Sequence, residues 1–256
     1  MGKPSRRRVR APGIIRAYLQ ATHAPVVGFA VTLPLLLLYN VGLLMPGARV
    51  GNGADLLSGL VSRQWGLWGM LGLNAVLVVA SVVALAWLAR KGRFSAGRWI
   101  TLVLEGVAYG VALGLLVPWV LGQAFPMSVA ADAAPSVPAR PPFLEILAIS
   151  AGAGYWEELV FRLGFVGGPL AIARRAFAGP RPGARLGVAA VALAAVVLSS
   201  LAFSLAHHLG AIEPPAAYVF WYRALAGIVF GGVFLARGFA VAAYAHFLYD
   251  VLVMLL

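Results

Sequence analysis

The sequence predicts an all-α, polytopic membrane protein, a bundle of about seven transmembrane helices. Three observations carry that reading. Of 256 residues, 62% are hydrophobic and only 11% are charged, more apolar surface than a soluble domain of this length can hide. The apolar residues fall in seven runs of roughly the length needed to cross a hydrocarbon core about 30 Å thick. The Lys and Arg residues collect in the short gaps between those runs. The net charge of +12 is therefore a topological signal. It forms no basic face for a duplex, so nucleic acid is excluded as a partner. The absence of Cys rules out disulfides, thiolate metal ligands and a Cys nucleophile.

Residues 1–24 form a basic N-terminal segment, with Lys3, Arg6, Arg7, Arg8, Arg10 and Arg16 and no acid before the first apolar run. That run, Pro25–Met45, is longer than a signal-peptide apolar region and lacks a small-residue cleavage site, which predicts a retained first helix. After a Gly-rich loop with Arg49, Asp55 and Arg63 comes a second span, Gly66–Ala89, with Trp65, Trp68 and Trp87 as interfacial anchors. A basic turn (Arg90, Lys91, Arg93, Arg98) precedes the third, Ile100–Phe125. Its Gly106, Gly110 and Gly114 recur every fourth residue, as close helix contact requires. A flexible Pro- and Ala-rich loop, Pro126 to Pro142, closes the N-terminal half (25–142). The remaining part (143–256) begins with a fourth span from Phe143 to about Leu170. A basic loop with Arg174, Arg175, Arg181 and Arg185 leads to the fifth, Leu186–Leu209. The sixth, Tyr218–Ala236, carries the small pair Gly227 and Gly231, and the seventh, Phe239–Leu256, follows the turn at Arg237 and Gly238.

Placing the N-terminus in the cytoplasm puts 15 of the 20 Lys and Arg on that side. Only Arg49, Arg63 and Arg140 then lie outside, the asymmetry expected of a multi-pass integral membrane protein with its N-terminus in and C-terminus out.

Five of the eight acids fall within apolar runs: Glu105, Glu145, Glu157, Glu158 and Asp250. So do His207, His208 and His246. Ionisable groups at membrane depth are costly and normally face a bundle interior or a wet cavity. On a helix Glu158 and Arg162 share a face, with the Glu in the favoured N-terminal place, so they read as a structural pair. Glu157 points about 100° away, outside that pair, and reads as the carboxylate that does chemistry. Phe203 and His207 share one helix face, and His246 and Asp250 another. A Glu and a His converging on one point can polarise a water, with a second His beside an oxyanion. The same groups could ligate Zn²⁺, through Glu157, His207 and His246, or relay protons in a transporter. Spacing leaves these three open. Among the other groups, His23 reads as interfacial, His208 as a cavity or interface residue, Glu145 as snorkelling, and Arg223 as an outer anchor. Glu105 either pairs with a nearby Arg or touches the site.

Three motifs in order then resemble a known family. Glu157-Glu158-Leu159-Val160-Phe161-Arg162 matches Glu-Glu-x-x-x-Arg, Phe203-Ser204-Leu205-Ala206-His207 matches Phe-x-x-x-His, and His246-Phe247-Leu248-Tyr249-Asp250 matches His-x-x-x-Asn/Asp. The pattern resembles the CAAX prenyl protease 2 and bacteriocin-processing group, the CPBP (Abi) intramembrane proteases, from about Phe143 to the C-terminus. Two departures are Leu163, with Gly164 next, where Gly often follows the Arg directly, and Asp250 at the final Asn/Asp position. The resemblance implies hydrolysis of a peptide bond in a membrane-associated peptide or protein substrate. Glu157 and His207 would activate water, His246 and Asp250 would line the oxyanion side, and Glu158, Arg162 and Phe203 would support them. It leaves the water either metal-free or bound to a divalent metal such as zinc. The other functional classes are a non-catalytic binding or immunity-type membrane protein and a proton-coupled transporter. Against the last stands the lack of an internal repeat. Beyond the substrate, the expected partner is membrane lipid.

Overall fold

Apolar runs in a bilayer must satisfy their own backbone hydrogen bonds, and a helix does so within one segment. The computed structural model describes residues 13–46, 55–124, 141–179, 182–209 and 217–255, and every regular element among them is helical. The helices are α1 (Ile14–Thr22), α2 (Pro25–Leu44), α3 (Asp55–Arg90), α4 (Ala96–Ala124), a continuous α5, then α6 (Ala184–Leu209), α7 (Ala217–Arg237) and α8 (Phe239–Leu255). Helix α5 joins three stretches: an α-helical Phe143–Gly152, a wider π-helical Ala153–Gly167, and an α-helical Gly168–Ala176.

All seven expected spans are therefore helices, α2 to α8. By length and composition five of them (α2, α3, α4, α6 and α7) meet the requirement for crossing a membrane, while α8 is shorter. The start expected at Gly66 coincides with a break inside α3, where Gly66 has φ 59° and splits a short leading helix from the span. Trp65 and Trp68 are exposed beside that break. Arg174 and Arg175, expected in a loop, instead end α5, because the π-helical stretch runs straight on into nine further α-helical residues. The loops expected at 47–54 and 126–140, Arg181, and the first 12 residues lie outside the described residues.

Helix α1 was not anticipated. It is short and two-faced, with Ile15 and Leu19 exposed and Thr22 buried. It is fastened by a polar cluster: the Tyr18 hydroxyl donates to Glu105 Oε2 (3.0 Å), and Arg237 donates to both Glu105 oxygens and to Thr22 Oγ1 (3.3 Å). Burial, followed by the neighbouring Glu105, pushes the Tyr18 phenol above its ordinary pKa. Of the two readings for Glu105, pairing with an Arg is the one realised, and the partner lies 132 residues away.

Between helices the bilayer offers no hydrophobic drive, so contact rests on fit. A Cβ on Gly106 would lie 2.5 Å from Tyr244 Cβ, and one on Gly110 would lie 2.7 Å from the Ala245 carbonyl, so α4 and α8 touch backbone to backbone. Gly114 has room: its Cβ would sit 3.8 Å from Leu252. Gly227 and Gly231 bring α7 onto Ser200 and Val196 of α6 in the same way. The centre of the bundle, with Leu36, Tyr39, Tyr155 and Val241 essentially inaccessible, joins α2, α5 and α8. Large apolar side chains such as Trp68, Leu115 and Leu193 face outward, where a bilayer would solvate them.

Candidate active site

The Glu pair sits in the π-helical stretch of α5. Wider winding turns each residue through less than the about 100° of an α-helix, so consecutive side chains lie closer to one face. Both Glu157 and Glu158 are consequently turned inward and buried. Two glycines seat this stretch. A Cβ on Gly152 would strike the Tyr39 ring at 2.5 Å, and one on Gly154 the Ala243 carbonyl at 2.6 Å, so α5 lies directly on α2 and α8. The Trp156 indole N–H donates to Asn74 Oδ1 (3.2 Å), fixing the rotation of the helix just before the acids.

Glu157 lies between two imidazoles. His207 Nε2 is 3.6 Å from its Oε1, and His246 Nε2 is 3.6 Å from its Oε2. The far side of each ring is tied down. His207 Nδ1 donates to the Phe203 carbonyl (2.9 Å), which fixes the proton on Nδ1 because a carbonyl can only accept. His246 Nδ1 meets Glu158 Oε1 at 2.9 Å, and its Nε2 is also 3.6 Å from Asp250 Oδ2. Each motif residue expected from the sequence is thus brought to one place: Glu157, Phe203, His207, His246 and Asp250 around a cavity, with Glu158 and Arg162 behind it.

Glu158 does more than the expected pairing. Its Oε1 is 3.5 Å from Arg162 Nε and also holds His246. Arg162 is wholly buried; one nitrogen donates to the Gly227 carbonyl (3.4 Å), and its guanidinium lies over the Phe203 ring at 4.7 Å. Phe203 also meets His207 and His246 edge-on, at 4.9 and 5.9 Å between centroids, so a single ring braces both histidines and the arginine. On its other side His246 is stacked on Phe230 of α7, 4.4 Å away and 19° from parallel.

The cavity of about 50 Å³ is lined by Glu157, Phe203, His207, Phe230, His246 and Asp250, together with Tyr222, Arg223, Ala226 and Tyr249. One water needs roughly 10–15 Å³ measured in this way, so a water fits with room beside it. Sequence reasoning missed Tyr222, Phe230 and Tyr249, and it took Arg223 for an interfacial anchor, whereas Arg223 is half-buried and lines the cavity. Phe230 had one usable signal: it adjoins Gly231, whose bare backbone lets α7 approach α6. His208 points elsewhere, its Nδ1 bonded to the Ser204 carbonyl and its ring against Phe220.

The histidines meet although they lie at very different places along their helices. At about 1.5 Å per residue, His207 is roughly 34 Å from the start of α6 and His246 roughly 10 Å from the start of α8. Both reach Glu157 of α5, each within 3.6 Å of one of its oxygens.

Among the described residues, no three His, Cys, Asp or Glu side chains form a group that could hold a metal ion. No step below passes through a metal.

Residues 139–252 match the family described as type II CAAX prenyl endopeptidase Rce1-like. This is the group that the three motifs resemble, and all the site residues named above lie within it, though the match covers under half of the chain. No curated protein and no solved structure matches the chain.

Proposed function

We propose that this protein is an intramembrane endopeptidase that hydrolyses a peptide bond of a membrane-anchored substrate by way of a water activated at Glu157. The observation that carries the proposal is the placement of the Glu157 carboxylate between two oriented imidazoles beside a cavity large enough for water. The two 3.6 Å gaps are too long for direct hydrogen bonds, and the adjoining cavity offers space for a water beside Glu157 and both imidazoles. The family match adds that the region holding these residues is akin to peptidases.

In this reading water sits in the cavity against Glu157 and His207, where Glu157 can take its proton as the oxygen attacks the carbonyl carbon. His207 cannot rotate away, because its Nδ1–H is held by the Phe203 carbonyl. As the carbon–oxygen bond forms, negative charge grows on the former carbonyl oxygen. His246, as the imidazolium, directs its Nε2–H at that oxygen while Glu158 holds its other nitrogen. Asp250 stands beside the same Nε2. Only a protonated Asp250 could donate to the oxyanion itself; an ionised one would orient His246. Glu157 then returns its proton to the leaving nitrogen, the carbon–nitrogen bond breaks, and a carboxylic acid and an amine leave.

The test is cleavage of lipid-anchored peptides, with and without a prenylated C-terminal cysteine, by purified protein in lipid vesicles, with the products identified by mass. Wild type is expected to yield two fragments from at least one anchored peptide and His207→Ala none. Equal cleavage by both proteins would overturn the assignment, as would intact peptides throughout with folded wild type.

A further inference from the structure

At the end of the bundle where α3 passes into α4, a second cleft shares no residue with the active-site cavity. It has a volume of about 340 Å³ and lies between the start of α2, the end of α3 and the start of α4. Its inner wall is apolar, with Val27, Ala30 and Val31 from α2, Leu85 and Leu88 from α3, and Leu102 from α4. Ala30, Leu88 and Leu102 are buried, whereas Arg93 and Arg98, which line the same cleft, are exposed. The cleft thus grades from hydrocarbon to guanidinium, and no acid lines it.

The basic rim is built, not merely flanking. Gly92, at φ +62°, lets the chain turn back so that the amides of Arg93 and Phe94 bond the Leu88 carbonyl, at 2.9 and 3.2 Å. The Arg93 guanidinium lies over Trp87 at 5.7 Å, and Phe94 packs edge-on against Trp99 at 5.6 Å. Helix α4 begins at Ala96 between the two arginines, adding the unpaired amides and positive dipole end of a 29-residue helix. On the other side of Trp99 runs a second apolar groove of about 440 Å³, bounded by Pro34, Val103, Leu104 and Tyr244. One positive seat with two apolar tracks meeting at one Trp matches a molecule with one anionic head and two chains.

We propose that this cleft binds one anionic diacyl phospholipid, its phosphate held by Arg93, Arg98 and the first turn of α4 and its chains laid on either side of Trp99. Basic seats between transmembrane helices are the recognised mode for acidic headgroups. The proposal does not depend on proteolysis at the other site.

Native mass spectrometry of the detergent-purified protein tests it, by titration with dioleoyl phosphatidylglycerol, dioleoyl phosphatidylcholine or inorganic phosphate. One phosphatidylglycerol is expected to bind about 10- to 30-fold tighter than phosphatidylcholine, from two arginines near a charged surface. In Arg93→Gln/Arg98→Gln that preference should vanish, whereas in Arg174→Gln/Arg175→Gln, a basic pair at the end of α5, it should persist. Leu85→Trp, which fills the cleft without changing charge, should weaken both lipids, so the outcome does not hang on one variant's folding. Equal affinity for the two lipids, equal loss in the two Arg-pair variants, or unchanged binding in Leu85→Trp would overturn the proposal. Displacement of the lipid by inorganic phosphate alone would reassign the cleft to a free anion.

Discussion

Replacing Arg162 with Ala should damage the fold more than the chemistry. Arg162 is buried against Glu158 at 3.5 Å and the Gly227 carbonyl at 3.4 Å, with its guanidinium over Phe203. Removing one partner of a buried ion pair costs roughly 3–5 kcal/mol, because the surviving charge is left uncompensated. Here His246 Nδ1 remains on Glu158, which offsets part of that, so the lower end, about 3 kcal/mol, is expected. Glu157→Gln preserves shape and leaves the Glu158–Arg162 pair intact, so it should cost under about 1 kcal/mol. Arg162→Lys should fall between, since it keeps the charge but loses the planar contact with Phe203. The assay is thermal unfolding in one detergent, followed by tryptophan fluorescence, with folded yield from size-exclusion chromatography. The expected order of stability is wild type, Glu157→Gln, Arg162→Lys, Arg162→Ala. If Arg162→Ala unfolds with wild type yet is inactive, the residue belongs to the reacting centre and the structural role is refuted.

Other expectations follow from the same geometry. Glu157→Gln and His207→Ala should each abolish cleavage, and the double variant should be no worse than either, since groups acting as a unit are not additive; multiplicative losses in a rate assay would separate their roles. Asp250→Asn should keep at least about a tenth of wild-type rate and Asp250→Ala should lose about 10²–10³-fold, the cost of one oxyanion donor; if Asn is as inactive as Ala, the charge of Asp250 is what counts. Gly154→Ala should push α5 off α8 and lower the rate by about 10²-fold, as misplacement near 1 Å does elsewhere, while Gly114→Ala, with space around it, should be silent in the same assay.

Much of this was legible because a bilayer is an exacting solvent. Contiguous apolar runs located the seven spans, and Gly66 marked a break that the backbone makes there. Glycine spacing identified the α4 and α7 contact faces, although only Gly106 and Gly110 of the first triplet are crowded. The acids and histidines stand out in the sequence by their cost at depth, and the structure brings Glu157, His207, His246 and Asp250 of that set together. The rest depended on three-dimensional relations that spacing does not encode. Nothing local in the sequence announces the π-helical winding of α5, and that winding turns Glu158 toward His246 as well as Arg162. The sequence does not encode how α6 and α8 are placed against α5, and that placement decides whether His207 and His246 meet at Glu157. Phe230 and Arg223 look like ordinary span residues until α7 is placed against α6 and α8. Helix α1 escaped because nine two-faced residues beside a basic segment give too little periodic signal.

The most direct measurement compares wild type with Glu157→Gln for turnover of a membrane-anchored peptide in lipid vesicles, each with and without prior chelator treatment and with bound metal quantified. The account predicts cleavage by wild type that survives the chelator, and at least about a 10³-fold lower rate for folded Glu157→Gln, as expected when the groups of a catalytic unit lose a member. Cleavage by Glu157→Gln near the wild-type rate would contradict it, as would wild-type activity that disappears with stoichiometric metal and returns when the metal is restored.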